Sequence, residues 1–79
     1  YIGIYREVDI LKLSARNALK GKVKKVTAGV VNTEVVVELP GGDEVVSMIS
    51  KESAEKLGLK PGKEVYAVIK ATNVMIGID

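Results

Sequence analysis

Ser14 and Arg16 stand two apart in the stretch Leu13-Ser14-Ala15-Arg16-Asn17, and in an extended backbone two such side chains leave on the same face. A hydroxyl donor beside a planar guanidinium suits an oxyanion, because hydrogen bonds to ionised groups contribute about 1.5–3 kcal/mol each, roughly twice neutral ones. Two further patches offer the same chemistry. Ser50 and Ser53 open a segment that reads as a helix, whose first N–H groups have no intrahelical partner. Lys70 ends a strand-like run, and the backbone amides after it come free. Hydroxyls, a guanidinium, an ammonium and free amides are the donors a small tetrahedral dianion requires. Each patch also has a plain structural reading: a solvated strand end for Ser14, Arg16 and Lys70, a helix cap for Ser50, an exposed first-turn residue for Ser53.

Composition narrows the field. Seventy-nine residues make one domain, small enough that a lone core is marginal and self-association is the obvious remedy. There is no His and no Cys, so the commonest general base, the commonest transition-metal ligand and thiolate chemistry are all missing. With no carboxylate pair in a recognisable catalytic motif either, the sequence argues against an enzyme, a redox cofactor and a directly ligated metal. The absence of Cys is compatible with a cytoplasmic protein. No apolar run approaches the roughly 20 residues that span a bilayer, and no signal-peptide layout is visible. Net charge is only +2, yet Lys12, Arg16, Lys20, Lys22, Lys24 and Lys25 come with no acid between Asp9 and Glu34. Such a run draws anions or is simply a solvated strand face. Nucleic acid is the weaker reading, since single-strand platforms stack bases on aromatics and after residue 10 the chain offers only Tyr66.

The elements that must position these groups are short strands. Residues 1–10 show no clear period and read as an N-terminal extension or linker; a chain that starts at Tyr1 suggests a piece of something longer. Asn17 to Thr27 reads as a long strand with Leu19, Gly21 and Val23 on one face. The next apolar residue is Val26, so the alternation slips near Lys24-Lys25, which predicts a β-bulge. After a turn at Ala28-Gly29, Val31, Thr33, Val35, Val37 and Leu39 alternate with Asn32, Glu34, Val36 and Glu38 as a half-buried strand. Pro40-Gly41-Gly42-Asp43 predicts a hairpin, then Val45 to Ile49 a third strand. Ser50 caps a helix over Lys51 to Leu57, closed by Gly58. A turn at Lys60-Pro61-Gly62-Lys63 leads to a fourth strand with Val65, Ala67 and Ile69. After a break at Ala71-Thr72-Asn73, Val74, Ile76 and Ile78 predict a fifth. The fold class is therefore all-β: a five-stranded OB-like barrel with one short helix between strands 3 and 4.

At this point the residues carry a resemblance. Leu13-Ser14-Ala15-Arg16-Asn17-Ala18-Leu19-Lys20-Gly21, Ala28-Gly29-Val30-Val31-Asn32-Thr33-Glu34-Val35, Ile49-Ser50 with Leu57-Gly58-Leu59, Gly62-Lys63-Glu64-Val65 and Lys70-Ala71 are similar to the molbindin (Mop) family, the single-module form of the TOBE domain. The match covers about residues 11–78, so residues 11–79 read as the Mop/TOBE domain. The resemblance implies a binding protein for molybdate, often tungstate too, with the metal held as its oxyanion. It implies a strand-exchanged dimer, assembling as a trimer of dimers into a hexamer with anion sites between subunits. It places Ser14, Arg16, Lys70 and the amide of Ala71 on one subunit's side of the pocket, with Ser50 and Ser53 from the partner. Lys56 falls where some relatives carry an Arg, a departure because Lys cannot grip two oxygens as a planar fork does. A second class of site would involve the turn Gly29, Val31 and Asn32.

The expected function is cytoplasmic storage or homeostasis of molybdate or tungstate, with no membrane partner. The alternative is a ligand-sensing TOBE module from a molybdate-responsive transcription regulator or an importer ATPase; the unmatched residues 1–10 leave a fused upstream segment open.

Overall fold

The structure, a computed structural model of the chain, describes residues 16–79. Ser14 and the N-terminal extension lie outside the described residues. Among these, four strands form one sheet in the order β3-β2-β1-β4: β1 Asn17–Ala28, β2 Asn32–Glu38, β3 Glu44–Ser50 and β4 Glu64–Ile69. A helix, α1 Lys51–Leu57, joins β3 to β4, and a 3₁₀ turn, Ala71–Asn73, follows β4. The chain divides into two compact units, Lys20–Ala67 and a second made of Tyr1–Leu19 with Val68–Asp79.

In the Lys20–Ala67 unit the alternation of β2 decides what is buried. Thr33, Val35 and Val37 face inward at 2–4 % exposure, and Val23 of β1 meets them at 2 %. Val26, Leu39, Val45, Ile49, Leu59 and Val65 pack around this cluster. The antiparallel register pairs Val23 with Val37 and then Lys25 with Val36, so Lys24 is the extra residue of a β-bulge. That bulge returns Val26 to the core side, as the slipped alternation requires. Gly21 sits where β1 passes closest to β2: a Cβ there would lie 2.6 Å from the Glu38 carbonyl oxygen and 2.9 Å from Val37 Cγ1. Leu19, expected on the inward face with Gly21 and Val23, is 38 % exposed.

β2 and β3 pair along their whole length, from Asn32 with Ser50 to Glu38 with Glu44. The hairpin between them is closed by the Leu39 N–H on the Asp43 carbonyl, 2.7 Å, and the Gly42 N–H on the Leu39 carbonyl, 2.9 Å. The helix starts at Ser50, whose side chain accepts from the Ser53 N–H, and stops at Gly58, whose φ of 62° is left-handed. A residue without Cβ takes that conformation at little cost.

In the other unit, β4 ends at Ile69 and the backbone turns through Lys70 into the 3₁₀ turn, with the Asn73 N–H donating to the Lys70 carbonyl at 2.8 Å. The predicted break at 71–73 is this turn. The predicted fifth strand is not formed: residues 74–79 make no strand, and Val74, Met75, Ile76 and Ile78 are 45, 91, 87 and 95 % exposed. The five-stranded barrel is, among the described residues, a four-stranded sheet. Alternating Val and Ile specify which side chains would share a face, but a strand exists only where a neighbour's backbone completes its hydrogen bonds.

Candidate functional site

Arg16 lies immediately before β1 and Lys70 immediately after β4, in the same unit. Both are exposed, and neither makes an ion pair among the described residues. The residues next to them are joined: Asn17 Nδ2 donates to the Ile69 carbonyl at 3.3 Å, across 52 positions of sequence. Arg16 and Lys70, far apart in the chain, therefore each stand one residue from a shared hydrogen bond. Ala71 is the first residue of the 3₁₀ turn, so its N–H has no place in the turn's own i to i+3 bonding.

The two serines meet in the Lys20–Ala67 unit. Ser53 N–H donates to Ser50 Oγ at 3.0 Å, and the Ser50 hydroxyl donates to Ser53 Oγ at 2.8 Å. Ser50 thus does what its capping role requires, while the Ser53 hydroxyl still holds its own proton for a further acceptor. Lys56 stands two turns along with its side chain 76 % exposed, 3.7 Å from Glu52 at i,i+4. Such surface pairs contribute about 0.3–0.5 kcal/mol, too little to withdraw Lys56 from an anion.

The turn that suggested a second site adjoins the serine pair. The Gly29 N–H donates to the Asn32 carbonyl at 2.7 Å, and the Val31 carbonyl accepts from the Lys51 N–H at 2.8 Å. Asn32 is the register partner of Ser50. The sequence gives Asn32 and Ser50 as separate features; strand pairing makes them neighbours. Val30 and Val31 at the tip are 92 and 70 % exposed.

Not every lysine of the basic run is available to an anion. Lys24, the bulge residue, is ion-paired with Glu44; the Glu44 hydrogen bond and charge, helped by Glu38, raise its pKa above the ordinary lysine value. Lys63 donates to the Leu57 carbonyl and so closes the C-terminal end of α1. No signal in the sequence separates these two from Lys70, because each partner comes from a different element. Among the described residues no three His, Cys, Asp or Glu could hold a metal ion, and no helix is long and apolar enough to cross a membrane.

The TOBE domain model matches residues 13–76. The chain belongs to the TOBE-domain family, in its molbindin (Mop) branch. Molybdenum-pterin-binding protein 3 of Clostridium pasteurianum is 58 % identical over 66 residues, which are 84 % of this chain and 97 % of that protein. Two solved structures share the fold. MopII from Clostridium pasteurianum, in an apo form, superposes with a TM-score of 0.78 at 53 % identity, over 84 % of this chain and 98 % of that one. The cytoplasmic molybdate-binding protein ModG, with molybdate bound, gives 0.81 at 54 % identity, over 85 % of this chain and 48 % of ModG. These relatives are named for binding.

Proposed function

We propose that this TOBE domain binds molybdate or tungstate in the cytoplasm, for storage or homeostasis and without chemistry. The observation that carries the proposal is the likeness to molybdate-bound ModG, at 54 % identity and a TM-score of 0.81. The chain's own residues support it: Arg16 and Lys70 are exposed cations with no counter-charge among the described residues, tied through Asn17 and Ile69. In the proposed site Ser14, Arg16, Lys70 and the amide of Ala71 meet the anion from one subunit. Ser50, Ser53 and Lys56 meet it from a partner in a strand-exchanged dimer, three of which assemble into a hexamer. Gly29, Val31 and Asn32 would supply the second class of site.

The chemistry favours a fully ionised tetrahedral oxyanion. A micromolar site needs about 8 kcal/mol of net binding free energy, and association and desolvation costs consume part of what three side chains of one subunit provide. Donors from a second chain let all four oxygens be met. Phosphate, partly monoprotonated at neutral pH, brings a proton that an all-donor pocket cannot accept, and selection against sulfate, of equal charge, would have to come from pocket size.

Titration calorimetry with molybdate, tungstate and sulfate on the wild type and Arg16→Ala tests the reading. Molybdate and tungstate should bind, sulfate should not, and Arg16→Ala should lose most of the affinity. Absence of binding by any oxyanion overturns the function while leaving the fold intact.

A further inference from the structure

Asn17 is a weak strand former at the first position of β1, and a half-buried carboxamide there is put to a particular use. Its Nδ2 donates to the carbonyl of Ile69, 3.3 Å away and 52 positions along the chain. A carbonyl can only accept, so the amide nitrogen, not its oxygen, must face it. The peptide group is planar: the Ile69 carbonyl, the Lys70 nitrogen and the Lys70 Cα move as one body. Holding that oxygen therefore orients the plane from which Lys70 departs. On its downstream side Lys70 is held by the 3₁₀ turn, whose Asn73 N–H bonds the Lys70 carbonyl at 2.8 Å. Lys70 is thus fixed from both sides, and one of the two clamps is a side chain bonded directly to the residue after Arg16.

From this geometry we infer that Asn17 is the positioning residue of the anion site, setting Lys70 relative to Arg16 before any ligand arrives. The inference rests on the oxyanion reading given above. Arg16 and Lys70 have no counter-charge among the described residues, and like charges repel, which favours separation of the segments that carry them. A neutral carboxamide resists the separation without neutralising either cation, so less ordering remains to be done when a dianion binds. An acid at position 17 would hold the same volume but turn an acceptor toward the Ile69 carbonyl, and would set a negative charge where the dianion is to be attracted.

Calorimetric titration of the full chain with sodium molybdate tests it, using Asn17→Ala, Asn17→Asp, Lys70→Ala and the Asn17→Ala/Lys70→Ala double variant, each also melted without ligand. Loss of one hydrogen bond's net worth, near 1 kcal/mol, corresponds to a loss of affinity of about fivefold in Asn17→Ala. Asn17→Asp should lose more than Asn17→Ala. In the Lys70→Ala background the effect of Asn17→Ala should vanish, which a merely structural role would not produce. Wild-type affinity in Asn17→Ala, or the same loss with and without Lys70, overturns the inference and leaves the oxyanion reading standing. If both position-17 variants fail to fold, the bond is a folding determinant and the inference also falls. If the wild type itself binds no molybdate, it is the parent reading that has failed.

Discussion

At the scale of single residues, the structure sorts cations by what they already touch. Arg16 and Lys70 have no ion-pair partner among the described residues, whereas Lys24 is engaged by Glu44. Arg16→Lys keeps the charge but loses the planar fork that meets two oxygens at once. It should weaken molybdate binding by about tenfold, equivalent to about 1.4 kcal/mol, and Arg16→Ala by more, both read by calorimetry. Lys24→Met should leave that affinity unchanged. Its effect belongs to pH-dependent stability: Glu44 raises the Lys24 pKa, so the favourable interaction is complete below the ordinary lysine value of 10.5 and fades as pH climbs through the raised one. Melting curves of wild type and Lys24→Met should differ slightly at pH 8 and converge in strong alkali. Ser14, Arg16 and Lys70 stand out in the sequence as candidate donors because their types announce the chemistry they could do. The Asn17 bond was not, because its acceptor is a backbone carbonyl, which any residue at position 69 would offer.

The helix and the sheet show why elements were more legible than their partnerships. Ser50, Lys51 to Leu57 and Gly58 fell where capping chemistry put them, since each signal acts within one turn of the chain. The bulge was readable because an inward phase lost after Val23 and regained at Val26 permits one extra residue between them. Pairing is another matter: Val74, Ile76 and Ile78 alternate as well as β4 does, yet no ladder takes them up among the described residues. Two substitutions test the element-level account by denaturant unfolding. Ser50→Ala removes the acceptor of the Ser53 N–H and should cost about 1 kcal/mol of stability. Gly21→Ala forces a Cβ to within 2.6 Å of a backbone oxygen, which no side-chain rotation relieves, and should cost about 2 kcal/mol or more through strand displacement. Wild-type stability in Gly21→Ala would mean that β1 and β2 are less tightly opposed than described.

Among the described residues the core is small and much apolar surface stands open. Buried apolar side chains among the described residues are Val23, Val35, Val37 and Ala54, while Val46 and Met48 of β3 stand 61 and 63 % exposed. In the other unit the stretch Val74, Met75, Ile76 and Ile78 is largely bare. Small domains bury a low fraction of their surface, and extended apolar patches on them mark association. Light scattering should therefore report a mass well above that of one chain, and a variant ending at Asn73 should report a smaller assembly. In the proposed function, anion binding is what links assembly to activity. A ligand held between subunits stabilises the assembly by mass action, about 2.7 kcal/mol at a concentration 100 times its Kd. Molybdate should raise the melting temperature of the full chain and shift its mass distribution toward the larger species at low protein concentration. If the sites are shared, the variant ending at Asn73 should lose both responses together, even though Arg16, Lys70, Ser50 and Ser53 all remain in it. Retention of full molybdate affinity by a monomeric form would place every necessary donor on one chain and remove the reason for a site between subunits.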